Sequence, residues 1–180
     1  MVRKCSVAIE CSRAIGSLAI TTGAGDQVEV EFDARAHASS ILVELERLLA
    51  ARGSAAADIS EIVVGQGPGS YTGIRVAIAT ALGLSRASGA VLFALPSYEG
   101  AVWSALAHGE AALVFADARA EKLYCASYGR VQGDVERIEP LRLISKNELR
   151  ASASRGCKLI GEQRVATELG LTLEPGSNLD

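Results

Sequence analysis

The segment VVGQGPGSYTGIRVAIATALGLS, residues 63–85, decides the fold of this chain. A short apolar run leads into a loop of glycines with one proline, and an almost uncharged helical pattern follows. Many proteins hold phosphate at a glycine-rich turn between a strand and a helix. The first question is therefore whether this loop is a phosphate cradle or a structural joint.

The loop lacks the residues of the common phosphate-binding motifs. A P-loop has a lysine directly after its last glycine, whereas no lysine occurs between Lys4 and Lys122. The dinucleotide fingerprint Gly-x-Gly-x-x-Gly also fails, because Ser70 or Thr72 stands where the third glycine belongs. The sequence instead predicts a rigid strand-to-helix joint, with Ser70 or Thr72 as the helix cap. The structural residues of this joint are Gly67, Pro68, Gly69, Ser70, Thr72 and Gly73.

The helix after the loop has an unusual outer face. At about 100° per residue, its predicted core face comprises Ile74, Ala77, Ile78, Ala81, Leu82 and Leu84. The remaining arc is small and uncharged, and its glycine costs about 1 kcal/mol of helix propensity relative to alanine. Close packing would offset that cost, against either a helix of the same domain or another protein, and the second is favoured. The predicted interface comprises Val76, Ala79, Thr80, Gly83, Arg75, Arg86, Ser39 and Val43.

The rest of the pattern predicts an α/β protein of two similar lobes, residues 1–108 and 109–180, the second one incomplete. From Ala111 the strand pattern restarts, and Ser145 with Glu148 is typical of a capping box. A second cap, Ser97, precedes a helix near the end of the first lobe. The expected strands are residues 4–10, 15–21, 27–33, 61–66, 90–96, 111–119, 122–129, 135–144 and 157–162, and the other expected helices are 37–52, 97–109 and 145–153. The first of these helices should present Ile41, Leu42, Leu45, Leu48 and Leu49 on one face, with Gly53 just past its end.

Composition restricts the classes of function. The chain has 180 residues, 49% hydrophobic and 22% charged, with a net charge of −3, so it can bury a core but has no basic field for nucleic acid. An RNA role would need a partner that supplies positive charge. Four cysteines occur without a Cys-x-x-Cys pair, and no apolar span reaches 18 residues. We therefore expect free thiols in a cytoplasmic protein without a membrane segment.

The sequence contains no recognisable combination of catalytic or metal-binding residues. His37 and His108 lack the spacing of metal ligands, so no zinc site is expected. Ser70 lacks the flanking glycines of a nucleophile elbow. Asp117 and Arg119 end a predicted strand, where they could contact a ligand but more often form an exposed turn. No catalytic residue, metal or cofactor is predicted.

The segment GQGPGSYTGIRVAIATALGLS resembles the signature of the TsaB family of bacterial tRNA threonylcarbamoyladenosine biosynthesis. Three other segments agree with that family in order: VAIECS, HASSILVELERLL and ADARAEKLYCASY. The chain departs from the family pattern at Glu10 and Cys11, where the family usually has Asp-Thr, and its C-terminal part is shorter. The first departure lowers the expectation of nucleotide binding.

The resemblance implies the fold of the actin, Hsp70 and sugar kinase superfamily, with two lobes built on mixed sheets and flanking helices. It implies a non-catalytic scaffold that binds the related catalytic subunit TsaD through two helices of the first lobe, with the ATPase TsaE joining the complex. That complex transfers threonylcarbamoyl to the adenosine beside the tRNA anticodon, and isolated members form homodimers. Contact with tRNA would be indirect. The alternative function, after the older glycoprotease-like label, is an ATP hydrolase or a peptidase.

Overall fold

The computed structural model describes residues 5–23, 25–34, 38–153, 157–175 and 177–179, with the backbone alone at positions 38 and 39. The chain divides into two compact units, Met1–Ser97 and Tyr98–Asp180. Each unit contains one β-sheet, with five strands in the first and four in the second.

The sheet of the first unit mixes antiparallel and parallel pairs. Its strands lie in the order β3-β2-β1-β4-β5, where β1 and β2 pair antiparallel, as do β2 and β3, while β4 is parallel to both β1 and β5. Parallel neighbours need long crossover connections, which the two helices α1 and α2 provide. The elements are β1 (Cys5–Glu10), β2 (Ile15–Thr22), β3 (Gln27–Asp33), α1 (Ala38–Ala51), β4 (Ile59–Gly65), α2 (Tyr71–Ser88) and β5 (Val91–Leu95).

The core of this unit lies between the sheet and the two helices. Alternate residues of β1 are buried, as expected for a strand with one face covered. From α2 only a narrow stripe of small residues is fully buried, namely Gly73, Ala77 and Ala81. Because these side chains are small, α2 can lie close to the sheet. The core includes Cys5, Val7, Ile9, Leu18, Ile20, Ile41, Leu45, Leu48, Leu49, Ile62, Val64, Ala77 and Ala81.

Two leucines that the helical pattern assigned to the core face lie outside it. Leu42 of α1 is 46% exposed and Leu82 of α2 is 47% exposed. In α2 the buried stripe follows a spacing of four residues, so Leu82, about 100° further round from Ala81, falls beyond its margin. In α1 the neighbouring Ile41 takes the buried position. The assignment of both leucines to the core was therefore wrong.

The glycine loop is held against the chain that follows β1. Of the two candidate caps, Ser70 is used, and its Oγ accepts from the Gly73 N–H at 3.2 Å. The Ser70 N–H donates to the Ser12 carbonyl at 2.6 Å. Gly69 has φ +153°, and a Cβ added there would overlap the same carbonyl oxygen, so this position requires glycine. The Gly67–Pro68 peptide is cis.

The second unit has strands in the order β8-β7-β6-β9. Both faces of its central strand are covered, because residues 112–116 of β6 are all buried. Val114 packs with Tyr98 and Val102 of α3 on one side, whereas Phe115 packs with apolar residues of α4 and α5 on the other. The elements are α3 (Ser97–Ala105), β6 (Ala111–Asp117), β7 (Lys122–Val131), β8 (Asp134–Ser145), α4 (Lys146–Ala153), β9 (Lys158–Gly161) and α5 (Gln163–Leu169).

The helix starts of α3 and α4 differ from one another. The predicted capping box of α4 is present, since the Ser145 N–H donates to Glu148 Oε2 at 2.7 Å and the Glu148 N–H to Ser145 Oγ at 3.3 Å. Ser97 instead accepts from the Gly67 N–H at 3.0 Å, so its hydroxyl serves the glycine loop. Because α3 packs with the second sheet, the compact units divide after Ser97 rather than at residue 108. The division into functional lobes stays a prediction.

Two glycines of α2 should respond in opposite ways to alanine. A Cβ at Gly73 would overlap the carbonyl oxygen of Cys11, so we expect Gly73→Ala to destabilise the fold by about 1–3 kcal/mol. A Cβ at Gly83 would meet nothing within 4 Å, so Gly83→Ala should stabilise it by up to about 1 kcal/mol. Urea unfolding of both variants measures these changes. Equal effects would contradict the contact at Gly73.

Candidate functional site

A groove opens along the outer side of α1 and α2. Its volume is about 800 Å³, and most of its walls are small or apolar side chains of α2. The helix α1 contributes one leucine to the lining. The lining residues are Leu42, Thr72, Arg75, Val76, Ala79, Thr80, Gly83, Leu84 and Ala87.

Five of the residues predicted as an interface line this groove, namely Arg75, Val76, Ala79, Thr80 and Gly83. The other three are not among the lining residues. Arg86 is exposed on α2, and Val43 is 62% exposed on α1 beside Leu42. Ser39 lies in the first turn of α1, with its side chain outside the described atoms. The structure therefore brings most of the set together on one surface. That this surface binds a partner stays a prediction.

Packing within the chain does not explain the glycine in this groove. Ala79 and Gly83 are exposed, and Val76 and Thr80 are half-buried. A Cβ added at Gly83 would meet nothing within 4 Å. The described helices α1 and α2 of this unit therefore leave the small-residue arc open.

Sequence reasoning missed Leu42 as a groove residue. It was assigned to the core of α1, but it lines the groove and is exposed beside Val43. The signal was the run Ile41-Leu42-Val43, because three consecutive helical residues span about 200° and cannot all face one core. Leu84 was missed because the helical pattern placed it on the core face of α2, and Ala87 was assigned to neither face.

An aromatic residue and an arginine stand at the N-terminal end of the groove. Tyr71 is 73% exposed, and the guanidinium carbon of Arg75 lies 5.1 Å from the centre of its ring. Nη1 of Arg75 also donates to the Tyr71 hydroxyl at 3.2 Å. The two contacts restrain the Arg75 side chain, because a cation over an aromatic face and a hydrogen bond favour one rotamer.

The end of β1 contains no exposed reactive group. The Glu10 carboxylate accepts from the Ser12 N–H at 2.6 Å and fills the space beside Gly65, where a Cβ would overlap it. Cys11 is buried, and burial together with the neighbouring Glu10 charge raises the pKa of its thiol to about 11. A thiol with this pKa is a poor nucleophile at neutral pH.

Asp117 and Arg119 lie at a separate pocket of about 280 Å³ in the second unit. Asp117 accepts from the Arg119 N–H at 2.8 Å and pairs with Arg164 at 2.7 Å. The Arg119 N–H and, to a lesser degree, Arg164 lower the pKa of the Asp117 carboxyl. The carboxylate thus holds its own turn, while the Arg119 side chain is exposed. A ligand at this pair stays a prediction.

The described residues include no group of three or more His, Cys, Asp or Glu side chains able to hold a metal ion. His37 lies outside the described part of the chain, and His108 accepts from the Gln132 N–H at 3.1 Å. No helix among the described residues is both long and apolar enough to cross a membrane.

These features describe an α/β protein with two mixed sheets and an open, largely apolar groove along two helices of the first unit. A family model described as TsaD: tRNA N6-adenosine threonylcarbamoyltransferase matches residues 30–150. Because that match covers more than half of the chain, and the curated and structural likenesses below point to TsaB, the chain belongs to this family as a TsaB-type (YeaZ-type) member.

The curated relatives are longer than this chain. It is 27% identical over 145 residues to the tRNA threonylcarbamoyladenosine biosynthesis protein TsaB of Escherichia coli (strain K12), covering 79% of this chain and 63% of that protein. It is 34% identical over 104 residues to an uncharacterized protein of Mycobacterium tuberculosis (strain ATCC 25618 / H37Rv), covering 58% of this chain and 47% of that protein. The chain thus spans roughly half to two thirds of their length.

Two solved structures share the fold. YeaZ from Pseudomonas aeruginosa has a TM-score of 0.70 at 23% identity, covering 80% of this chain and 68% of that one. An uncharacterized protein with similarity to peptidase YeaZ, also from Pseudomonas aeruginosa, has a TM-score of 0.77 at 20% identity, covering 95% and 81%. The predicted α/β fold with mixed sheets and flanking helices is confirmed by these two likenesses, and its place in the actin, Hsp70 and sugar kinase superfamily stays a prediction.

The buried thiols should be nearly inert in the folded protein. Burial raises the pKa of both Cys11 and Cys125 to about 11, so their thiolate fraction at pH 8 is small. We expect a disulfide reagent to modify the half-buried Cys157 first. Unfolding in urea should then raise the reaction rate of Cys11 and Cys125 by at least roughly a hundredfold. Rapid native labelling of Cys11, located by peptide mass, would contradict this.

Proposed function

We propose that this chain is a non-catalytic subunit of a tRNA-modifying complex. In this proposal it binds a TsaD-related transferase through the groove of α1 and α2, and the complex adds threonylcarbamoyl to the adenosine beside the tRNA anticodon. The observation that carries the proposal is the open groove around Gly83, a helix position with a propensity cost where an added Cβ would meet no described atom within 4 Å. Membership of the family supports a role in tRNA modification.

The kind of partner follows from the family match. The model that describes TsaD matches residues 30–150, a range that includes the whole of α1 and α2. A TsaD-related protein therefore has a segment equivalent to this helix pair. Two related proteins can pack equivalent surfaces against each other around a pseudo-twofold axis, as homodimers do around a true one. Small residues in the groove favour such packing because they shorten the distance between helix axes.

The glycine loop supports a structural role rather than phosphate binding. The N–H groups of Gly67, Ser70 and Gly73 all donate to protein oxygens. A phosphate cradle needs such N–H groups directed at the ligand. Among the described residues, one charged side chain lines the groove, Arg75, whose guanidinium group offers hydrogen-bond donors and no acceptor.

The expectations for the other partners, for tRNA and for the compartment belong to the same proposal. TsaE joins the complex, the isolated chain forms a homodimer through the groove, and contact with tRNA is indirect because the net charge is −3. The protein works in the cytoplasm without a cofactor, and the four cysteines are free thiols, which suits a reducing compartment.

Charge placed in the groove should prevent the complex. Ala79→Glu or Gly83→Lys puts a charged side chain on the small-residue arc, where a partner would bury it without a counter-ion. We expect each variant to fold normally, because both positions are exposed, and to lose at least about tenfold in affinity for the TsaD-related protein of the same organism. Co-elution on a sizing column and circular dichroism measure the two properties.

Ala151→Glu is the matched control, since Ala151 is an exposed helical alanine on α4 in the other unit. It should co-elute with the partner as the unmodified chain does. Normal co-elution of both groove variants would remove the interface assignment. Absence of co-elution by the unmodified chain would remove the proposed partner.

The alternative, an ATP hydrolase or peptidase, makes a different prediction. Because the loop N–H groups already have acceptors, we expect no heat when ATP with magnesium is titrated into the isolated chain. Saturable binding of ATP would favour a nucleotide site and would contradict a purely structural joint.

A further inference from the structure

We infer that the partner of the groove presents carboxylates at two positions about three helical turns apart, one facing Arg75 and one facing Arg86. This inference rests on the proposed function, because it specifies the partner of the same groove. It adds an electrostatic requirement to the apolar contact.

The two arginines are the only charged residues of α2, which contains no acid. They are eleven residues apart in the sequence, which corresponds to about three turns and roughly 16 Å along the helix. They therefore lie on nearly the same side. Arg75 lines the groove and Arg86 stands in the last turn of the helix. A partner helix lying along α2 would meet both.

Neither charge is neutralised within the described part of the chain. The ion pairs among the described residues include neither guanidinium group. Other cations of the protein have such partners, for example Arg164 with Asp117 at 2.7 Å and Lys158 with Glu110 at 2.8 Å. This face of α2 is therefore locally positive, although the net charge of the whole protein is −3.

The side chain of Arg75 is already positioned for a partner. Tyr71 restrains it through a ring contact at 5.1 Å and a hydrogen bond at 3.2 Å. A restrained side chain loses less rotamer entropy when it forms an ion pair. Arg86 has no such restraint among the described residues, so Arg75 should contribute more to binding.

A second copy of this chain satisfies the requirement less well than a different protein. The acids of α1 are Glu44 and Glu46, and Glu44 already pairs with Arg47 at 2.8 Å. Each copy would therefore offer one open carboxylate to two arginines. A heterologous partner with two carboxylates matches both charges.

Nucleic acid fits the surface poorly. Affinity for phosphates grows with the number of cations that contact them, and α2 offers two, Arg75 in the groove and Arg86 in its last turn. Charge pairs at the rim of a protein interface act mainly on the rate of association, and salt weakens them. Association kinetics are therefore the sensitive measurement.

The experiment compares Arg75→Glu and Arg86→Glu with the unmodified full chain, binding the TsaD-related protein of the same organism. At about 0.05 M ionic strength we expect each reversal to slow association by about tenfold, with the larger effect at Arg75. At about 0.5 M the rates should converge, because salt screens the attraction. Stopped-flow or biosensor traces separate the association rate from the dissociation rate.

Arg142→Glu changes the net charge by the same amount and lies on β8, outside the groove lining. Wild-type association by this control is expected. The inference would be overturned if both reversal variants associated at the wild-type rate. It would also be overturned if the control variant slowed association as much as they do. Reversals that abolish tRNA binding by the isolated chain while leaving partner association unchanged would overturn it too.

The outcomes also separate this inference from the proposed function. If Ala79→Glu blocks the partner while the arginine reversals have no effect, the groove is the interface and the carboxylate requirement is wrong. If the unmodified chain does not bind the partner, both ideas fail.

Discussion

The contact between the glycine loop and the backbone after β1 determines the position of everything that the groove depends on. The Ser70 N–H donates to the Ser12 carbonyl, and Gly73 lies against the Cys11 carbonyl so closely that no side chain fits between them. These contacts hold the start of α2 against the sheet. They also use loop N–H groups that a phosphate would need. This close approach therefore positions the helix, and it occupies N–H groups that a phosphate-binding loop would direct at its ligand.

The helix α2 has small residues on two faces, and the physical reason differs between them. Its inner stripe of Gly73, Ala77 and Ala81 is small because the sheet lies close to it. Its outer arc around Ala79 and Gly83 is also small, although nothing in the described chain presses on it. The first case is explained by packing within the chain. The second is the basis for proposing that another protein lies there.

Much of the fold could be predicted from the sequence, because strands and helices show in short-range periodicity. Each of the nine expected strands is present, with its ends within two residues of the expected ones. The capping box of Ser145 and Glu148 is a local feature that four residues specify. Leu42 and Leu82 were misassigned because a helical wheel gives directions around one axis but not the width of the face that a neighbour covers. The packing of α3 with the second sheet was missed for a related reason, since contacts between distant segments leave no periodic signal.

By itself the sequence determined the class of fold, the joint at residues 65–73 and the uncharged outer arc of the helix that follows, because each depends on residue types at fixed local spacing. Only the tertiary structure decided that this arc is open. It added Leu42 to the groove, restrained Arg75 against Tyr71 and left Arg86 without a carboxylate among the described residues. Whether a surface is covered depends on side chains brought together from α1 and α2, which β4 separates along the chain, so the three-dimensional packing alone can answer it.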